Sequence, residues 1–166
     1  VERIAKHAKD LNIPIIADPK LTGLHRTHDV DWIIFQSRGF ELMKRRIGES
    51  DDSQAAESLI NSYGWKHLVV LAGGNGVTIY SKSADTVHAP CTLPQLRQVI
   101  GLIDAAVVAI AVSISNGLGV SDTALLTNAA CECILSAEAT DSFSLSKDML
   151  IHQVGEIAWN LQVSKR

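Results

Sequence analysis

Three short apolar runs, separated by segments of helical periodicity, are the feature that most constrains the fold. The runs are Ile13–Ala17, Asp31–Phe35 and Lys66–Ala72, and none of them alternates regularly between apolar and polar residues. A strand that is apolar throughout is typical of a parallel sheet that helices cover on both faces. Strands that alternate with helices along the chain therefore predict an α/β fold with a mostly parallel sheet.

The helices are predicted from apolar residues that recur at intervals of three and four positions. Their ends are predicted from Ser at the start, and from Gly, Asn or Pro at the finish. The predicted helices are one through Ile4, Ala8 and Leu11 that ends at Asn12 and Pro14, then Phe40–Ile47, Ser53–Tyr63 before Gly64, Ile103–Ser115 before Asn116 and Gly117, Asp122–Leu135 capped by Ser121, and Asp148–Gln162.

A glycine-rich tetrapeptide, Gly73-Gly-Asn-Gly76, lies between the third apolar run and the alternating run Val77–Tyr80. Two β-rich runs around an Asn-Gly turn are typical of an antiparallel hairpin. A phosphate cradle of the dinucleotide or P-loop type needs a helix directly after its glycines, and here a strand follows. The hairpin is therefore favoured, although a nucleotide lying along the turn stays open. Asp85–Ala89 is a further candidate strand.

Composition excludes several classes of function. The 166 residues match the size of one domain, and their net charge of −3 with a pI near 6.0 argues against a general nucleic-acid binder. The longest apolar run, Ala105–Val112, is too short to cross a bilayer. Three cysteines, with no paired spacing beyond Cys131-x-Cys133, do not form a disulfide framework. We therefore expect a cytoplasmic protein that binds neither nucleic acid nor membrane.

Asp104, near the start of the most apolar helix, has two interpretations. As an N-cap, its carboxylate would stabilise the helix by about 1 kcal/mol. As a general base, it would lie beside N–H groups that stabilise developing negative charge. Residue types alone favour the cap, while Gly101, which permits a close backbone approach, keeps the base open. Cys131 and Cys133 are expected to be small core residues.

Five segments, in matching order and spacing, are similar to motifs of one known family. They are Ile13–Lys20 (a strand ending in Asp-Pro-Lys), Asp31–Leu42 (where the family has a strand followed by Asn-x-x-Glu), Leu68–Tyr80 (strand, Gly-x-x-Gly turn and strand), Gln98–Gly117 (where Asp-x-Thr-Gly-Ala-Gly-Asp opens the catalytic helix) and Thr127–Leu135 (an Ala-Asn-Ala-Ala helix). Together they resemble the C-terminal half of the ribokinase-like (PfkB) carbohydrate kinases. Within that family they resemble the kinase domain of bacterial heptose-7-phosphate kinase/adenylyltransferases, which act in ADP-heptose synthesis.

This resemblance implies a three-layer ribokinase-like core and an ATP- and Mg²⁺-dependent kinase that acts on a sugar or sugar phosphate. Residues 1–166 would be the C-terminal part of the kinase domain, without the N-terminal half and its lid, and the absence of an initial Met fits a piece of a longer chain. By position, the implied roles are Asp104 as general base, Gly101 as the start of the anion hole, Glu41 near Mg²⁺, and Gly73, Gly76 and Asn128 around the nucleotide. Self-association into a homo-oligomer stays open.

Departures from the family motif support a second hypothesis. Ile103 stands where the family has its second glycine, and a β-branched residue is expected to fit such a backbone poorly and to intrude on the phosphoryl site. Gln98 and Ile100 replace the motif's first Asp and its Thr, and Arg38 replaces the Asn of Asn-x-x-Glu. The alternative is a degenerate kinase-like domain that binds nucleotide or a partner without transferring phosphate.

Overall fold

The computed structural model is described for residues 2–97, 99–137 and 145–163, with the backbone alone described for Glu2 and after Ile157. A five-stranded sheet has the order β1-β2-β3-β4-β5, with β1, β2 and β3 mutually parallel. This arrangement confirms the α/β class. The elements are α1 (Glu2–Asp10), β1 (Ile16–Ala17), β2 (Trp32–Gln36), α2 (Ser37–Ile47), α3 (Asp52–Tyr63), β3 (His67–Leu71), β4 (Val77–Ser81), β5 (Val87–Ala89), α4 (Leu102–Ser115), α5 (Val120–Ser136) and α6 (Lys147–Val163), with short 3₁₀ segments at Leu21–Arg26 and Gly73–Asn75.

The predicted hairpin is confirmed between β3 and β4. The Ala72 N–H donates to the Gly76 carbonyl at 2.9 Å, and the Lys82 N–H donates to the Lys66 carbonyl at the same distance. From Ala72 back to Lys66 the residue numbers fall along one strand, while from Gly76 to Lys82 they rise along the other. The two strands are therefore antiparallel and share one register. The glycines therefore form a short 3₁₀ turn between two strands.

Contacts divide the chain into two compact units, the first comprising the residues up to Leu71 together with Thr78–Val87. In this unit, α2 and α3 pack on one face of β2 and β3 through a fully buried core. Trp65 lies at its centre, and its indole N–H donates to the Thr27 carbonyl at 2.8 Å. Consecutive residues Ile33 and Ile34 are both fully buried, as predicted for a strand covered on both faces.

The second unit comprises Ala72–Val77 and the residues from His88 onward. Here α5 packs against both α4 and α6. Small residues on the α4–α5 contact, including Ala105, Ala109 and Ala130, allow the two helices to approach closely. Within the described residues, no helix combines the length and the apolar character needed to span a membrane.

Two local expectations are wrong. The first apolar run predicts a buried strand over Ile13–Ala17, but β1 spans two half-buried residues and Ile13 is 54% exposed. Its place at the edge of the sheet explains this, because an edge strand pairs on one side only. Ser121 does not cap α5: the helix begins directly after Gly119, whose carbonyl accepts from the Thr123 N–H at 2.9 Å, so Ser121 lies in the first turn.

Candidate functional site

The N-terminus of α4 is formed by Gly101 and Asp104. Gly101 is the N-cap residue, with φ 85° and ψ 2°, and Asp104 is the third residue of the helix. The capping interpretation of Asp104 is therefore wrong, because a capping side chain must precede the first helical residue. The Asp104 carboxylate is exposed and has no hydrogen bond or ion pair to another residue in the described part of the chain.

Ile103 does not strain the backbone as the family comparison suggested. It is the second residue of α4 and has ordinary helical geometry, so this position does not require glycine. Gly101 does require it, because its positive φ is rarely adopted by other residues. A Cβ atom at Gly101 would meet nothing within 4 Å, so the glycine reflects backbone conformation and not a close approach by another described segment.

Gly73 and Gly76 differ in their surroundings. Gly73 has φ 55°, and a Cβ there would lie 3.8 Å from a methyl group of Leu96. Gly76 has φ 88° and ψ −150°, and a Cβ there would overlap the Ala89 carbonyl oxygen and lie 2.7 Å from the Cys91 nitrogen. Only glycine fits at position 76, because the backbone segment Ala89–Cys91 crosses this residue too closely to leave room for a Cβ atom.

Asn128 contacts the same segment from α5. Its side chain is buried, and its amide nitrogen donates to the Pro90 carbonyl at 3.0 Å and to Glu132 Oε1 at 3.1 Å. A side-chain amide has two N–H donors, and these two bonds use both. The structure thus brings Gly76 and Asn128 together around Ala89–Cys91, while their roles toward a nucleotide stay predictions.

Glu132, which the sequence analysis missed, is the most heavily bonded side chain of this unit among the described residues. It is fully buried. Oε1 accepts from the Thr92 N–H at 2.6 Å and from Asn128, and Oε2 accepts from the Thr92 hydroxyl at 2.9 Å and from the Gln153 amide at 2.5 Å. The sequence does contain a sign of this role, because Glu132 is the one charged residue of the otherwise apolar helical stretch Ala129–Leu135. A carboxylate is rarely buried unless its oxygens accept hydrogen bonds.

The three cysteines near Glu132 are not activated nucleophiles. Burial raises the pKa of Cys131 to about 12, and neighbouring Cys91 and Glu132 contribute to the rise. Burial also raises the pKa of Cys91 and Cys133, and the Glu132 carboxylate adds to both shifts. Because the thiolate is the reactive form, raised pKa values make these thiols weaker nucleophiles near neutral pH. Cys131 and Cys133 are buried, which confirms them as core residues.

Glu41, the predicted Mg²⁺ ligand, lies on α2 of the first unit and already has a cationic partner. Lys44 Nζ lies 2.8 Å from Glu41 Oε1 and 2.5 Å from Asp52 Oδ1. Hydrogen bonds to Asp52 and then Glu41 raise the pKa of Lys44 to about 12. No group of three or more His, Cys, Asp or Glu side chains in the described ranges could hold a metal ion. The role of Glu41 toward Mg²⁺ stays a prediction.

Comparison with known proteins extends this description. No protein-family profile matches the chain. Over 145 residues, which are 87% of this chain and 30% of each relative, it is 23% identical to the bifunctional protein HldE of Aliivibrio fischeri and 25% identical to that of Photobacterium profundum. The chain thus spans 30% of the length of these relatives.

Solved kinase structures share the fold. The tetrameric inhibited form of Escherichia coli phosphofructokinase-2 superposes with a TM-score of 0.76 at 16% identity, covering 95% of this chain and 51% of that one. Thermotoga maritima ribokinase superposes with a TM-score of 0.76 at 21% identity, covering 90% of this chain and 52% of that one. Arabidopsis thaliana ribokinase, solved with ribose and ATP, superposes with a TM-score of 0.77 at 16% identity, covering 92% of this chain and 51% of that one. The chain therefore has the ribokinase-like fold and is similar in sequence to the bifunctional HldE proteins, as its motifs predict.

Proposed function

We propose that this chain is the C-terminal, nucleotide-binding and catalytic-helix part of an ATP-dependent sugar kinase. It would transfer the γ-phosphoryl group of ATP to a hydroxyl group of a sugar or sugar phosphate, with heptose 7-phosphate as the first acceptor to test. One observation carries the proposal: Asp104 presents an exposed carboxylate, unpaired within the described residues, in the first turn of α4, shortly after a glycine in the left-handed conformation.

Each part of this helix end has a chemical task in the proposed reaction. The Asp104 carboxylate accepts the proton of the sugar hydroxyl as its oxygen attacks the γ-phosphorus. The N–H groups of the first turn have no partner within a helix, and the helix dipole is positive there. Negative charge on the transferred phosphoryl group is therefore stabilised at the start of α4.

The substrate classes come from the structural relatives. Arabidopsis thaliana ribokinase was solved with ribose and ATP, and Escherichia coli phosphofructokinase-2 with fructose-6-phosphate. Mg²⁺ commonly binds through one or two carboxylates together with the phosphates of a nucleotide. Glu41 is already paired with Lys44 and would have to leave this partner to hold Mg²⁺, so we assign no step through the metal.

A second candidate function is nucleotide binding without phosphoryl transfer. The side chains at two positions of the family motif favour it: Ile100 is 81% exposed where the family has Thr, and Ile103 adds apolar bulk beside Asp104. Apolar side chains at these positions offer no hydrogen bond to a charged phosphoryl group, which makes its transfer here less favourable. The two candidates differ in whether ATP is consumed, which the following experiment measures.

Replacing Asp104 by asparagine is expected to lower kcat by a factor of about 10² to 10⁴, because the amide keeps the shape of the carboxylate but cannot take a proton. The KM for ATP should change little. The measurement is ADP release by the full-length protein with ATP, Mg²⁺ and heptose 7-phosphate, with fructose-6-phosphate and ribose as other acceptors.

Asp122→Asn is the matched control, since Asp122 is also an exposed acid in the first turn of a helix of the same unit. It should leave kcat unchanged. Normal turnover by Asp104→Asn would refute the role of Asp104. If the wild-type protein consumes no ATP while ATP raises its Tm, the second candidate function is correct.

A further inference from the structure

The irregular connection between β5 and α4 is attached to one face of α5. Three attachments hold it: Asn128 Nδ2 to the Pro90 carbonyl at 3.0 Å, Thr92 to Glu132 at 2.6 and 2.9 Å, and the Arg97 N–H to the Leu135 carbonyl at 2.8 Å. The α5 positions follow each other at intervals of four and three, which places them on one side of the helix. The connection therefore runs alongside α5 between Pro90 and Arg97.

Glu132 is the central attachment of this connection. Both of its bonds to Thr92 fix the connection itself, one to the backbone N–H and one to the hydroxyl. The bonds from Asn128 and Gln153 hold the carboxylate in place from α5 and α6. A carboxylate offers about four lone-pair positions, so these neutral donors fill its acceptor capacity. The side chain is thereby fixed in one orientation.

We infer that Glu132 is a positioning residue for the proposed phosphoryl-transfer site. By holding Thr92, it fixes the connection that delivers Gly101 and Asp104 to the start of α4. The described part of the connection has no helix or strand of its own, so its path depends on such attachments. A displacement of about 1 Å at a reacting group can cost about 10² in rate. This inference rests on the proposed function, and its test is designed to separate the two.

Two variants that each remove one hydrogen bond to Glu132 Oε2 test the inference. Thr92→Val removes the hydroxyl donor on the connection, and Gln153→Met removes the amide donor on α6. We expect Thr92→Val to lower kcat at least about fivefold with little change in the KM for ATP. Gln153→Met keeps both bonds between Glu132 and Thr92, so we expect it to lower kcat less, by no more than about twofold. A purely structural carboxylate would give equal, small losses of stability and no difference in kcat between the two variants.

Amide hydrogen exchange provides a second readout that needs no catalysis. In Thr92→Val, the peptides between Thr92 and Leu102 should exchange about tenfold faster, while the peptides of α5 keep their wild-type rates. Gln153→Met should raise exchange between Thr92 and Leu102 less than Thr92→Val does, because both bonds from Glu132 to Thr92 remain. Equal responses of the two variants, or no response in Thr92→Val, would overturn the inference. If the wild-type protein proves inactive, the proposed function fails and hydrogen exchange alone decides whether Glu132 positions the connection.

Discussion

Gly76→Ala is expected to lower the free energy of unfolding by at least about 4 kcal/mol, a loss that few single substitutions produce. Two independent features of the site cause this loss. The backbone of Gly76 has φ 88° and ψ −150°, a region that only glycine adopts without strain. In addition, the new methyl group would overlap the Ala89 carbonyl oxygen and approach the Pro90 carbonyl carbon at 2.9 Å.

These contacts are with backbone atoms, so no rotation of a flexible side chain can relieve them. Relief requires the segment Ala89–Cys91 to move away from the turn, but Asn128 holds its Pro90 carbonyl and Glu132 holds Thr92, the next residue. Urea unfolding followed by circular dichroism measures the loss. Gly117→Ala is the control within the same unit, because Gly117 has φ 66° but nothing within 4 Å of its Cβ position.

Gly117→Ala should cost only the backbone strain of about 1–2 kcal/mol. A Gly76→Ala protein as stable as Gly117→Ala would show that Ala89–Cys91 does not cross the turn closely. The comparison thus sets the loss at Gly76, caused by close packing and by an unusual backbone conformation together, against the loss caused by a positive φ at Gly117.

The sequence predicts those parts of the fold that depend on neighbouring residues. The hairpin at Gly73–Gly76 is predictable because a short turn is determined by its own residues and the strands beside it. The end of α3 at Gly64 is predictable for the same reason, and the structure has that residue as a left-handed C-cap. The exposure of the first strand, β1, is not predictable from its own residues, because it depends on the place of the strand at the edge of the sheet.

The candidate site is less predictable because its geometry depends on residues far apart in the chain. Residue types favour Asp104 as a cap, since the sequence does not reveal that Gly101, three positions earlier, is the N-cap. Glu132 is missed because its partners Thr92 and Gln153 lie 40 and 21 positions away. A buried carboxylate is stable only with such partners, and helical periodicity carries no information about them.

Replacing Glu132 by leucine is the second change with a large expected effect. Leucine keeps most of the volume but accepts no hydrogen bond, so the Thr92 N–H, the Asn128 amide and the Gln153 amide lose their acceptor together. A buried donor left without an acceptor, as the Asn128 amide would be, costs about 1–3 kcal/mol, and the part-buried donors of Thr92 and Gln153 cost less. We expect a total loss of about 3–5 kcal/mol in the free energy of unfolding.

Glu132→Gln separates the hydrogen bonds from the charge. The glutamine carbonyl can replace Oε1 and accept from the Thr92 N–H and from Asn128. Its amide nitrogen would then replace Oε2, and the Gln153 side chain can turn its own amide by about 180° and accept in place of donating. We therefore expect a loss of only about 1–2 kcal/mol for Glu132→Gln, which is the part due to charge-assisted bonding. Urea unfolding of both variants measures the difference. A Glu132→Leu protein as stable as Glu132→Gln would contradict the prediction, and would mean that water enters and accepts the hydrogen bonds of the donors that had bonded Glu132.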